Sequence, residues 1–382
     1  MITEISAYDS LVDALRLIRT QNVGPITFFN LIRKYGNSEK ALKALPELSR
    51  LGGRKKPVIP FSRELAELEI EKSRKFGAQM IAYNDPSYPA LLLNTPDPPP
   101  VITVRGNKNL WNNKTIIAVV GARNASAGGC KLARDWAYEL GQNDIIIISG
   151  LARGIDSFAH KGSLDSGTIA VIAGGIDNTY PPENKNLYQE IFEKGAVISE
   201  QPFGGLPFAG SFPGRNRIIA GMSVGTLIVE ASPKSGSLIT ANLALENNRE
   251  VFAVPGTPLD PRSKGCNQLI KQGAIMAQSP DDILEAIKHL RQSNLLETPS
   301  VNFTNMVDSA PVAEDEIIEL RKKIIDKLSS YAVSIDELIE QCHTSASAMQ
   351  TVLLELELAG VAKRSAGGRV YLINTTEEAV LV

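Results

Sequence analysis

The chain is 382 residues long, 43% hydrophobic and 21% charged, with a formal net charge of −2 and an isoelectric point of about 6.1. This is the make-up of a soluble globular protein of two or three domains, and it excludes nucleic-acid binding through bulk positive charge; such binding needs a local basic patch. No apolar run reaches the length of a bilayer span, the opening residues carry no apolar signal segment, and Cys130, Cys266 and Cys342 form no C-x-x-C pair, so a cytoplasmic chain with unpaired thiols and no membrane partner is expected.

From about Ser10 to Lys75 the apolar residues recur at helical spacing, first Leu11, Leu15 and Ile18, then Phe28, Leu31 and Ile32. This predicts a helical N-terminal domain over residues 1–82. Within "NVGPITFFNLIRKYG", Gly24-Pro25 is a stop signal followed by a start, which makes a helical hairpin. Such hairpins either bind a DNA backbone through turn amides or serve as packing units. A Pro-rich joint, "NTPDPPP" at Asn94 to Pro100, precedes the first clear strand.

Between Thr115 and Gln292 strands alternate with helices. Ile116 to Val120, Asp144 to Ile148, Thr168 to Ile172, Thr226 to Glu230 and Val251 to Val254 are short apolar runs, as parallel strands covered on both faces require. Residues 83–292 are therefore expected to form a mainly parallel α/β sheet. Four of the runs lead into small-residue loops, "GARNASAGG", "SGLARGID", "AGGIDNTYPPEN" and "PGTP". Right-handed crossovers bring these loops to one edge of the sheet.

Residues 293–313 are rich in Ser, Asn, Thr and Pro without periodicity, so they read as a linker. Helices from about Glu314 to Ser329, Ser334 to Cys342 and Ser345 to Ala359, then the Gly-centred hairpin "AKRSAGGRVYLI", give a winged-helix order over 314–382. The third helix of such a domain usually enters the major groove. Here it has no Lys or Arg but holds Glu355 and Glu357, and Asp315 to Val382 carries seven Lys and Arg against eleven Asp and Glu. A protein-contact module is expected rather than a duplex reader.

The densest candidate site is "FPGRNRIIAGMSVGTLIVEA" at Phe212 to Ala231. Arg215, Asn216 and Arg217 follow Pro213-Gly214 at a helix start, where free N–H groups and the dipole favour an anion. Arg123 and Arg153, on the loops after the first two strands, are cations of the kind that hold phosphates, and Lys234 precedes another small-residue helix start, "SGSLITA". Phe212 and Tyr180 stand in the right loops to stack on bases. Gly121, Gly128 and Gly129 miss the G-x-G-x-x-G spacing and no P-loop Lys-Ser follows, so no nucleotide cofactor is expected, and without a two-metal carboxylate cluster in the sequence no metal is expected either. Asp156 and His160 share a helix face as an acid/base pair or a structural hydrogen bond.

The ordered series "YPALL", "VVGAR", "SGLARGID", "FPGRNRIIAG", "VEASPKSGSLITA" and "VFAVPG", from Tyr88 to Gly256, resembles the DNA-processing protein A family, DprA or Smf. The resemblance implies a Rossmann-like sheet between a helical-hairpin, SAM-like N-terminal domain and a C-terminal winged helix. It implies a homodimer that binds and protects single-stranded DNA and loads the recombinase RecA during natural transformation in competent cells. By the same resemblance Arg123, Arg215 and Arg217 contact strand phosphates, and Ser149, Gly150, Asn216, Ser235 and Gly236 line the groove. At Gly214 many members carry a bulkier or charged residue. No catalytic residue is implied. A rival reading comes from Gly221 to Glu230, which resembles the "GGxGTxxE" element of Rossmann-like nucleoside monophosphate hydrolases, with Ser223 at the second glycine.

Overall fold

A computed structural model describes residues 2–292, 314–365 and 367–373. The expected linker at 293–313 lies outside the described residues. The chain forms two compact units, Met1–Glu67 with Asn302–Val382, and Leu68–Val301.

In the first unit, α1 (Ile2–Arg19), α2 (Pro25–Tyr35) and α3 (Ser38–Leu51) make the helical N-terminal part, and the division between the units falls within α4 (Arg63–Lys75). Pro25 opens α2 after an extended Gly24, and Gly36, at φ 86°, ends it. Phe28, Phe29, Leu31 and Ile32 form its buried stripe.

The second unit is built on β1 (Ala78–Ala82), α5 (Ala90–Leu93), β2 (Val101–Gly106), β3 (Thr115–Val120), α6 (Ala127–Gln142), β4 (Ile145–Ser149), α7 (Ile155–Ser163) and β5 (Thr168–Val171). It continues through α8 (Lys185–Lys194), β6 (Ala196–Ser199), α9 (Ser211–Met222), β7 (Gly225–Ile228), α10 (Gly236–Glu246), β8 (Glu250–Ala253), α11 (Lys264–Lys271), β9 (Ile275–Met276) and α12 (Pro280–Gln292). Among the described residues the strand order is β1-β2-β6-β5-β4-β3-β7-β8-β9. The run from β6 to β9 is parallel, while β1 and β2 pair antiparallel at one edge. Along β3, Ile116, Ala118 and Val120 pack into one core layer and Ile117 and Val119 into the other. Burial on both faces explains the unbroken apolar runs.

The expected boundary at 82/83 moves to 67/68. Ala78 to Ala82 pair residue by residue with Arg105 to Val101, so they belong to the sheet and not to the helical domain. The expected strands also omit β2, which joins the sheet edge by antiparallel pairing with no helical crossover, and the short β6 and β9.

The C-terminal part of the first unit consists of α13 (Glu314–Lys327), β10 (Val333–Ser334), α14 (Ile335–Cys342), α15 (Ala346–Ala359), β11 (Ala362–Ser365) and β12 (Arg369–Leu372). Its small sheet runs β10-β12-β11. Leu320, Ile324, Leu338, Met349, Val352, Leu353 and Leu356 fill its core. This is the winged-helix order read from the sequence. Among the described residues no helix is long and apolar enough to cross a membrane.

Candidate nucleic-acid interface

β3 and β7 lie side by side in parallel, but the chain leaves β3 toward β4 and leaves β7 toward β8, on opposite sides. Such a switch point opens a crevice at the carboxyl ends of the strands. Two cavities adjoin there. The larger, about 500 Å³, is lined among others by Arg123, Asn124, Arg215, Asn216, Gly236 and Arg262. The smaller, about 290 Å³, is lined by Arg123, Gly150, Arg153, Tyr180, Phe212 and Arg215 among others. Arg123, Phe212 and Arg215 wall both.

Arg215 is the back wall. It is only 6% exposed, its Nη1 donates to the Val171 carbonyl at 3.0 Å, and its Nε is buried without a hydrogen-bond partner. Burial pushes its pKa below the ordinary arginine value, the Asp156 charge opposing the shift, yet a guanidinium stays protonated in proteins. A buried cation with a free donor is expensive unless an anion completes it. Gly150 makes the space: a Cβ there would stand 1.5 Å from Arg215 Nη1. The next residue, Leu151, is buried at φ 55°, a left-handed conformation costing about 1–3 kcal/mol. Its carbonyl accepts from Asn184 Nδ2 at 2.9 Å.

The front wall is exposed. Arg123 lies over the Phe212 ring at 5.1 Å from the centroid, and Tyr180 and Phe212 have centroids 5.7 Å apart with planes tilted by 59°. Ser235 caps α10, its Oγ accepting from Ser237 N at 3.4 Å, so the first turn of that helix opens onto the larger cavity beside Ser237 and Thr240.

Acidic and imidazole groups near the cleft have structural partners. Glu230 accepts from Ser126 through both oxygens, at 2.5 Å from Oγ and 2.9 Å from N, and so fixes the start of α6. Asp156 accepts from Gly150 N at 3.2 Å and Ala152 N at 3.4 Å; burial pushes its carboxyl up while Arg215 and these N–H groups oppose the shift. His160 is fully buried, and its Nδ1 meets Thr168 Oγ1 at 2.8 Å while that hydroxyl donates to the Ile147 carbonyl. The hydroxyl proton is thus committed, so Nδ1 carries hydrogen and Nε2 is left bare in the core. Burial and the Arg215 charge push its pKa down to about 3. Asp156 and His160 therefore serve separate hydrogen bonds. Among the described residues no group of three or more His, Cys, Asp or Glu converges as metal ligands would.

Of the expected site residues, the crevice gathers Arg123, Gly150, Arg153, Phe212, Arg215, Asn216, Ser235 and Gly236. Arg153 is half-engaged, with an exposed ion pair to Glu183 at 3.7 Å. Ser149 lies behind, fully buried, donating to the Val119 carbonyl at 2.6 Å. Lys234 is exposed on the loop before α10 and lines neither cavity. Arg217 is turned into the protein: it binds Glu200, donates to the Asp97 carbonyl at 2.7 Å, and its side chain is 11% exposed. Two residues along α9 rotate the side chain by about 200°, so Arg217 faces away from the crevice that Arg215 walls. The sequence reading missed Arg262, beyond the fifth strand, which lines the larger cavity while paired with Asp260 at 2.9 Å. The loop "PGTP" marked the strand end, but no local signal says which cation on such a loop turns toward the crevice.

A mainly parallel, doubly wound sheet with a cationic, aromatic-edged crevice at its switch point defines a Rossmann-like protein equipped to hold anionic ligands. A family model described as DNA recombination-mediator protein A matches residues 79–288, between a DprA-like N-terminal HHH domain at 9–71 and a DprA winged helix domain at 308–368. The chain belongs to the DNA recombination-mediator protein A family. It is 30% identical to protein Smf of Synechocystis over 92% of this chain and 96% of that one. The crystal structure of DNA processing protein A from Streptococcus pneumoniae superposes with a TM-score of 0.59 at 33% identity, covering 71% of this chain and 95% of the other. DNA processing protein A from Helicobacter pylori, solved for its single-stranded DNA binding mode, gives 0.52 at 28% identity over 56% and 96%.

Proposed function

We propose that the crevice holds single-stranded DNA and that the protein acts in recombination by binding alone. The observation that carries this reading is the pair of adjoining cavities, about 500 and 290 Å³, sharing Arg123, Arg215 and Phe212. Successive nucleotides offer alternating phosphates and flat bases. Shared cations with aromatic edges between two pockets suit that repeat better than one free nucleotide. The single-stranded DNA binding of the H. pylori relative supports the same ligand here. In this reading a homodimer protects an incoming strand in the cytoplasm and passes it to the recombinase RecA during natural transformation. Arg123 and Arg215 are its phosphate contacts, with Gly150, Asn216, Ser235 and Gly236 lining the path. The engagement of both Glu230 oxygens by Ser126 weighs against nucleotide hydrolysis. Titration with labelled single-stranded and blunt duplex oligonucleotides tests the proposal. Preference for the single strand is expected, and equal affinity for duplex refutes it.

A further inference from the structure

α15 is the helix that a winged fold offers to a DNA groove, and in this chain it is covered. Met349, Val352, Leu353 and Leu356 face the winged core, but Leu354 and Leu358, outside that core, are 2% and 0% exposed. A helix apolar on all sides must be buried on all sides. Its second cover is the N-terminal helical part of the same unit. Asn22 Nδ2, in the turn before α2, donates to the Leu358 carbonyl at 3.1 Å, and Thr27 Oγ1 on α2 meets Glu357 Oε2 at 3.4 Å. At the end of α3 the approach is closest: a Cβ on Gly52 would lie 2.1 Å from the Glu355 carbonyl oxygen and 2.8 Å from Ala359 Cβ.

The two carboxylates of α15 do not oppose this docking. Glu355 is 3% exposed and accepts from Arg321 Nε at 3.0 Å, and Glu357 is 6% exposed and accepts from Arg364 Nε at 2.7 Å. Both charges are neutralised from within the winged domain before the face meets its partner, which is the condition for burying an acid at an interface.

We propose that α15 is a protein-docking surface whose occupant is the chain's own N-terminal helical domain, so that the winged domain clasps that domain and is not a reader of duplex DNA. Gly52 supplies the test. Its φ is −68°, an ordinary right-handed value, so a larger side chain suits its backbone and clashes only with the docked helix. In the full-length protein, Gly52→Leu should speed amide exchange in 346–359 at least tenfold. Lys43→Leu, on the exposed face of α3, should leave it unchanged. Neither variant should gain duplex affinity. Equal α15 protection in Gly52→Leu and the parent overturns the docking, and a tenfold gain in duplex affinity on release shows a masked reader instead. Native-state exchange on the unsubstituted protein in low denaturant makes the test independent of how the variant folds: α15 and α2–α3 should open together as one unit, and separate opening refutes the clasp.

Discussion

At the scale of single residues, Arg123 and Arg217 have opposite surroundings and opposite predicted phenotypes. Arg123→Ala removes an exposed cation from the wall of both cavities. Loss of a charge-assisted phosphate contact of about 1.5–3 kcal/mol should weaken single-strand binding roughly 10- to 150-fold with unfolding unchanged; oligonucleotide titration beside a urea melt reads both. Arg215, on α9 itself, belongs with Arg123. Arg217→Ala instead removes the largely buried ion pair to Glu200 and the hydrogen bond to the Asp97 carbonyl, and should lower stability by about 1–3 kcal/mol before it changes affinity. His160 carries a pH dependence. Its pKa in the fold is about 3 against an ordinary 6.5, so the native state favours the neutral ring. The stability it contributes is fully present above 6.5 and is lost as pH falls toward 3, by about 1.4 kcal/mol per pH unit. Asp156, whose carboxyl is pushed up, acts in the opposite sense but equally in parent and variant. His160→Asn should therefore show a shallower loss of urea midpoint between pH 6.5 and 5 than the parent, and parallel curves exclude the account.

At the scale of elements, the segment leaving β4 sets the depth of the crevice. A Cβ on Gly150 would stand 1.5 Å from Arg215 Nη1, and the Gly150 backbone is not left-handed. Gly150→Ala should thus fold but displace the guanidinium from between the cavities. An affinity loss of tenfold or more, with a far-UV spectrum like the parent's, is expected; unchanged binding would mean that Arg215 does not contact the strand. The motif "SGLARGID" was legible as a small-residue loop at a strand end. That its glycine exists to seat an arginine from a helix 65 residues later was not, because only the sheet order brings β4 and α9 together.

At the scale of the molecule, a net charge of −2 leaves binding to a local patch. If the two phosphates at Arg123 and Arg215 are neutralised per protomer, log K should fall with a slope of roughly −1.4 in log salt, or about sevenfold between roughly 50 and 200 mM. A slope near zero removes the electrostatic account, and one several times steeper means that cations outside the crevice take part. Fluorescence anisotropy across that range measures it.

The sequence by itself determined the parallel core strands, the winged-helix order, the family and most of the crevice. Apolar runs, glycine loops and helix caps are local signals, and a local signal survives in one dimension. Only the tertiary structure decided the rest. It placed β1 in the sheet through antiparallel hydrogen bonds to β2, turned Arg217 inward to Glu200, and brought Arg262 to the cavity. It also buried Glu355 and Glu357 beside Arg321 and Arg364, where a charge count showed only two acids on the third helix. Each of these depends on which side chain meets which across elements distant in sequence, and that is fixed by packing and pairing rather than by the spacing of residues along the chain.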